Sequence, residues 1–76
     1  MLKAVLLIRV IPTREKIVGE LLKKFDEVTD CWVTFGEYDV VAIVSGSDSK
    51  NIAEFVSKKV RQIAGVSKTA TLLSID

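Results

Sequence analysis

Few residues in this sequence could do chemistry. The chain contains no histidine and a single cysteine, Cys31, so the commonest general base is absent and no internal disulfide or zinc site can form. Cys31 lies in an apolar segment with no base beside it, which favours a small buried side chain over a nucleophile. No phosphate-binding glycine loop is present. We therefore expect a protein that is not an enzyme and uses no metal and no cofactor.

The polar residues of most interest lie in one short segment, Gly36-Glu37-Tyr38-Asp39. Glu37 and Asp39 are two residues apart and could lie near each other, although such pairs are more often solvated turn residues. Gly36 suits a tight turn because glycine adopts backbone conformations that other residues avoid. The residues alone therefore leave open whether this segment is a solvated turn or a functional pair.

The surrounding segments predict the order strand, helix, strand, strand, helix, strand. The predicted strands are 3–11, 28–35, 38–45 and 66–75, with a hairpin at Gly36-Glu37. Thr13 is expected to cap the start of the first helix, and Ser47 or Asp48 is expected to cap the start of the second. Gly65 is expected to end the second helix. The predicted buried stripes are Ile17, Val18, Leu21, Leu22 and Phe25 in the first helix and Ile52, Phe55, Val56, Val60 and Ile63 in the second.

With right-handed crossovers, this order gives an α+β fold of the ferredoxin-like βαββαβ kind. We expect a four-stranded antiparallel sheet with both helices on one face and the first and third strands in its centre. The residues Ala4, Leu6, Ile8 and Val10 should face the helices. The opposite face would carry Val5, Leu7, Val41 and Ile43.

That opposite face is apolar where a solvated face would alternate to polar residues. An exposed patch of four large aliphatic side chains needs a cover, although a partly apolar free surface is the alternative. A core of this size typically supplies only roughly 3–5 kcal/mol, and disulfides and metals are excluded here. We therefore predict a homo-oligomer whose interface contains Val5, Leu7, Val41 and Ile43.

The amino-acid composition limits the kinds of partner that this protein is expected to bind. Eleven basic and ten acidic residues give a net charge of +1, without the basic stripe that nucleic-acid binding requires. Apolar stretches are too short to span a membrane, and no signal peptide is recognisable. We expect a single domain over residues 1–76 that is cytoplasmic and binds neither membrane nor, directly, nucleic acid.

Several segments together resemble the C-terminal effector-binding (RAM) domain of the Lrp/AsnC transcription factors, from about residue 2 to residue 75. They are the first strand at 4–10, Thr34-Phe35-Gly36-Glu37-Tyr38-Asp39, Ile63-Ala64-Gly65-Val66 and Thr69-Ala70-Thr71-Leu72. Family regulators also carry an N-terminal helix-turn-helix DNA-binding domain. The sequence contains none, so it resembles the stand-alone members, and direct operator binding is not expected.

The resemblance implies a dimer made by the sheets, rings of dimers that are commonly octamers of four dimers, and amino-acid effectors bound between dimers. Asp39 would accept the ligand's ammonium group, and Gly36 would let backbone amides approach it. Tyr38 would pack against the ligand side chain, and Thr69 and Thr71 would contact its polar atoms. Each residue also has a structural alternative, as a turn, core or interface residue or as a strand former.

Three functions follow, in order of preference. The first is an amino-acid-sensing oligomerisation module that modulates transcription indirectly. The second is a structural module without its own ligand that partners full-length Lrp/AsnC regulators. The third is a small enzyme of the dimeric α+β barrel type, which the absence of histidine disfavours.

Overall fold

The chain alternates strands and helices in the predicted βαββαβ order. The structure, a computed structural model, describes residues 2–74. Its elements are β1 (Leu2–Val10), α1 (Glu15–Leu22), β2 (Val28–Val33), β3 (Val40–Gly46), α2 (Ser49–Phe55) with a π-helical continuation (Val56–Val60), and β4 (Val66–Leu73). The fold prediction is confirmed. Ile75, the predicted end of the last strand, lies outside the described residues.

The four strands form one antiparallel sheet in the order β2-β3-β1-β4, so the first and third strands are central, as predicted. Val5 pairs with Ile43 in β3 and with Leu72 in β4, which fixes these side chains on one face. The ladder between β1 and β4 shifts register between Arg9 and Val10. This irregularity lies at the end of β1 that leads to the first helix.

The core lies between the other face of the sheet and the helices. The predicted inward set of β1 is buried throughout, and Cys31 is a buried side chain among these apolar neighbours. Burying a Val, Leu or Ile side chain contributes about 1.5–3 kcal/mol, so this layer supplies most of the stability of one chain. The buried set is Ala4, Leu6, Ile8, Val10, Val18, Leu22, Cys31, Val40, Ala42, Val44, Ile52, Phe55, Val56 and Val60.

The first helix differs from its prediction in two ways. Thr13 does not cap it, because Thr13 has a positive φ of 77° and Arg14 occupies the cap position, where its side chain makes no capping hydrogen bond to the helix. The predicted stripe was also too wide, since Ile17 and Leu21 are 46% and 37% exposed. The helix packs on β2 and β3 at the edge of the sheet, and this leaves one side of its apolar stripe uncovered.

The second helix begins as predicted at Asp48, whose carboxylate accepts a hydrogen bond from the Asn51 amide at 2.8 Å. It ends earlier than predicted, at Val60. Gly65 instead forms the turn into β4, with a φ of +101° and with its carbonyl accepting a hydrogen bond from the Ile11 amide at 2.8 Å.

No helix within residues 2–74 has the length and apolar character needed to cross a membrane.

Replacing Gly19 by alanine is expected to raise the free energy of unfolding by up to about 1 kcal/mol, because glycine weakens a helix interior. Gly19 lies inside α1, and an added Cβ would meet the Val33 Cγ2 atom at 3.5 Å, an ordinary van der Waals contact. Urea unfolding followed by circular dichroism, at matched protein concentrations, measures the change.

The Gly65→Ala variant is the matched control and should lose stability. Its backbone has a positive φ, and an added Cβ would come within 3.0 Å of the Arg14 Cβ atom. A Gly19→Ala variant that unfolds at lower urea than the parent would show that α1 lies too close to β2 for a methyl group.

Candidate functional site

The connection between β2 and β3 is a loop longer than the predicted turn. The strands end at Val33 and resume at Val40. The loop is closed at its base, because the Thr34 amide donates to the Asp39 carbonyl at 2.8 Å. The Thr34 hydroxyl also donates to the Tyr38 carbonyl at 2.9 Å. These bonds hold the intervening residues in a compact shape outside the sheet.

Gly36 lies at the far side of this loop with a φ of +127°, a conformation that side chains of L-residues rarely adopt. An added Cβ would have no heavy atom within 4 Å, so backbone conformation rather than crowding requires glycine here. The loop backbone is therefore open on this side.

Asp39 joins the loop to the central strand β1. Its amide donates to the Ile8 carbonyl at 2.9 Å, and its Oδ2 atom accepts from the Val10 amide at 2.8 Å. The side chain is half-buried. Its second carboxylate oxygen, Oδ1, accepts no hydrogen bond from any residue in 2–74. One oxygen thus holds the carboxylate in place, and the other remains available as an acceptor.

An open groove of about 470 Å³ lies between this loop and the start of α1. Gly36 and Asp39, two of the five predicted ligand-binding residues, both line it. The turn after β1 and the first residues of α1 supply the other side. The lining residues are Thr13, Glu15, Lys16, Val33, Thr34, Phe35, Gly36 and Asp39.

The other three predicted ligand-binding residues lie elsewhere in the chain. Tyr38 is half-buried in the same loop but does not line the groove. Thr69 and Thr71 are on β4, where they pair with Ile8 and Leu6. The central strand β1 lies between β4 and β3, so within one chain these threonines are not part of the groove.

The residues that the sequence analysis missed come from the turn after β1 and the start of α1, notably Thr13, Glu15 and Lys16. The predicted topology could have indicated these residues. Because β1 and β3 are antiparallel neighbours, the end of β1 and the start of β3 must lie at the same edge of the sheet. The segment after Pro12 and the loop before Val40 are therefore brought together by the predicted fold.

A second open groove, of about 440 Å³, continues from the first along α1 and the edge strand β2. Lys16 and Val33 line both grooves. The remaining lining residues of the second groove are Gly19, Glu20, Lys23, Cys31 and Trp32.

Cys31 borders this second groove but is buried, and burial raises the pKa of its thiol above the ordinary value. The positive charge of Lys23 opposes this shift only in part. The Cys31 Sγ atom lies 3.9 Å from the Gly19 carbonyl oxygen. A buried thiol that resists ionisation is a poor nucleophile.

We expect iodoacetamide at pH 8 to modify Cys31 much more slowly in the folded protein than in the urea-unfolded chain. The thiolate is the reactive form, and burial both raises the thiol pKa and limits access. Mass spectrometry of quenched samples gives both rates. Equal rates in the two states would contradict the assignment of Cys31 as a buried core residue.

The outer face of the sheet contains the four residues predicted to form an oligomer interface. Val5, Leu7, Val41 and Ile43 are all half-buried and pair across the central strands β1 and β3. Trp32, Ala70 and Leu72 pair with members of this set and extend the same face, which we call the outer face.

Two of the added side chains are large and solvent-exposed, since Trp32 is 49% and Leu72 56% exposed. Charged residues at the rim, on the same face by strand register, are Lys3, Arg9, Asp30 and Lys68. An apolar centre with a polar rim is the usual arrangement of a protein–protein interface. Strand alternation in β2 and β4 could have identified Trp32, Ala70 and Leu72 from the sequence.

Metal binding has no support in residues 2–74, which contain no group of three His, Cys, Asp or Glu side chains close enough to hold an ion.

Residues 3–76 match the family model of the Lrp/AsnC ligand binding domain. The chain therefore belongs to the Lrp/AsnC family and carries its ligand-binding domain. The resemblance drawn from the first strand, the segment 34–39 and the segments 63–66 and 69–72 is confirmed. The curated relatives that this chain matches are HTH-type transcriptional regulators.

Among curated relatives, the HTH-type transcriptional regulator LrpA of Pyrococcus abyssi is 28% identical over 59 residues. The match covers 78% of this chain and 42% of that protein, so the chain spans less than half the length of this relative.

Solved structures have the same fold. TTHA0845 from Thermus thermophilus superposes with a TM-score of 0.94 at 30% identity, and the match covers 100% of this chain and 95% of that one. A transcriptional regulator of Neisseria meningitidis, solved as a complex with L-methionine, superposes with a TM-score of 0.85. At 18% identity, with 99% of this chain and 50% of the regulator covered, the second likeness concerns the fold alone.

Proposed function

We propose that this domain binds a free amino acid in the groove beside Asp39 and thereby modulates transcription indirectly, as a binding module and not as an enzyme. The observation that carries this function is the Asp39 carboxylate, which lines the groove and has one oxygen held by the Val10 amide. Family membership supports it, because the matched domain is a ligand binding domain. The L-methionine complex of a regulator with this fold suggests the ligand class.

An amino acid at neutral pH needs an acceptor for its ammonium group and donors for its carboxylate. The Oδ1 atom of Asp39 is the acceptor in our proposal, and a charge-assisted hydrogen bond to it is about twice as strong as a neutral one. The open loop at Gly36 lets backbone groups approach the ligand. We propose that Tyr38, Thr69 and Thr71 contribute from a neighbouring protomer, since within one chain they do not line the groove.

Asp39→Asn and Asp39→Ala should separate the structural role of this residue from its binding role. The alanine variant leaves the half-buried Val10 amide without its acceptor, which costs about 1–3 kcal/mol of stability. The asparagine variant keeps an oxygen for that amide but loses the negative charge. Its affinity for the amino acid is expected to fall roughly tenfold or more.

Thermal shift and calorimetric titration with a panel of the twenty amino acids measure both effects. Glu37→Gln is the matched control, because it removes a carboxylate from the same loop outside the groove lining. The function is contradicted if no amino acid in the panel changes the melting temperature of the parent protein. The site is contradicted if Asp39→Asn binds as tightly as the parent.

We further propose that the outer face is buried between two copies of the chain, forming a dimer that can assemble into rings such as an octamer of four dimers. The support is the continuous set of apolar side chains across all four strands with charges only at the rim. A cytoplasmic location fits a module that acts with transcriptional regulators.

Leu7→Lys should convert the oligomer to a smaller species. The substitution places a positive charge at the centre of the outer face, and burying that charge in the interface costs free energy because no opposite charge faces it. Ile17→Lys is the matched control, since Ile17 is an exposed apolar residue on α1, away from this face. Light scattering coupled to size exclusion gives the masses. A monomeric parent protein, or a Leu7→Lys variant with the parent's mass, would contradict this interface.

The same face favours a second candidate function, pairing with full-length Lrp/AsnC regulators. The relatives include HTH-type regulators of which this chain matches 42% of the length. A partner domain with a similar face could replace the second copy. Co-expression with a full-length regulator of the family, followed by mass measurement, tests this. Exclusive recovery of homo-oligomers, even with the regulator in excess, would rule it out.

A further inference from the structure

We propose, on the basis of the amino-acid function above, that Lys16 binds the carboxylate of the ligand held at Asp39, so that the site requires a free carboxylate. Lys16 is the second residue of α1 and lines the same groove as Asp39. The loop after β2 contributes Asp39 and the start of α1 contributes Lys16. A positive and a negative side chain thus come from separate segments of the chain to one groove.

The positive charge of Lys16 is not used elsewhere in the described chain. Within residues 2–74 its ammonium group makes no hydrogen bond and no ion pair within 4.0 Å. Other cations are engaged: Lys58 lies 3.7 Å from Glu54, and Lys59 lies 3.3 Å from Glu27. Lys16 is therefore available to an anionic group in the groove.

Arg14, the other cation near the start of α1, has a structural role. Its Nη2 atom donates to the Ala64 carbonyl at 3.1 Å, and its side chain packs against Gly65. It does not line the groove. Among residues 2–74, Lys16 is therefore the only cationic side chain that lines the groove.

The charges of the groove match those of a zwitterion. Asp39 and Glu15 are negative and suit the ammonium group, and Lys16 is positive and suits the carboxylate. An amine or an amino-acid amide would lack the group that Lys16 attracts and would place its own positive charge near that of Lys16. Lys16 therefore favours free amino acids and also disfavours ligands without a carboxylate.

The test compares four proteins: the parent, Lys16→Met, Lys16→Arg and Lys24→Met. Lys24→Met is the matched control, because it removes the same charge from an exposed residue just past α1 that lines no part of the groove. The probes are the twenty free amino acids and their α-carboxamides, each titrated by calorimetry. Circular dichroism and light scattering check that the fold and the assembly are those of the parent.

We expect Lys16→Met to bind the free amino acid roughly tenfold more weakly or worse, as removal of a hydrogen bond to a charged group does. Lys16→Arg should retain most of the affinity and Lys24→Met all of it. The parent should bind the carboxamide weakly, and the Lys16→Met variant should bind the carboxamide at least as well as the parent.

The role of Lys16 is overturned if the Lys16→Met variant binds the free amino acid as tightly as the parent, or if the parent binds carboxamides and free amino acids equally. If no free amino acid binds the parent at all, the amino-acid function itself fails.

Discussion

The hydrogen bond from the Val10 amide to the Asp39 carboxylate is the contact on which the site depends. The ladder between β1 and β3 ends here, since its last pair is Ile8 with Val40. The side chain of Asp39 supplies the acceptor that a strand carbonyl supplies elsewhere along the ladder. The chain before Val40 can therefore leave the sheet as a loop while its base stays attached to the central strand. Without this bond, a half-buried amide would lose its partner and the loop would lose its position.

Strand β2 links this site to the outer face. Its residues alternate between the two sides of the sheet, so Val33 lines the groove while Trp32 pairs with Val41 on the outer face. The proposed ligand site and the proposed interface therefore share one short strand. If ligand binding and assembly are coupled through it, the coupling acts in both directions by thermodynamic linkage.

Much of the fold could be predicted because its signals are local and periodic, whereas details that depend on tertiary packing were missed. The alternation of Leu6 and Ile8 with Leu7 identified both faces of the central strand. Ile17 fits a helical stripe, but which side of a stripe is covered depends on where the helix lies on the sheet. The candidate site was likewise predictable in part, since residue types and a family resemblance pointed to the segment 36–39, of which Gly36 and Asp39 line the groove. Lys16 looks like an ordinary solvated helix residue, because single-chain periodicity gives no sign of what lies across a groove.

Backbone amide shifts of ¹⁵N-labelled protein, recorded during titration with amino acids, test the central claim most directly. We expect a binding amino acid to shift the amides of Val10, Gly36 and Asp39 most strongly, because these flank the carboxylate that receives its ammonium group. Shifts confined to residues remote from the groove, such as those around Lys59, would contradict the proposed site. Unchanged spectra with every amino acid would contradict the proposed function.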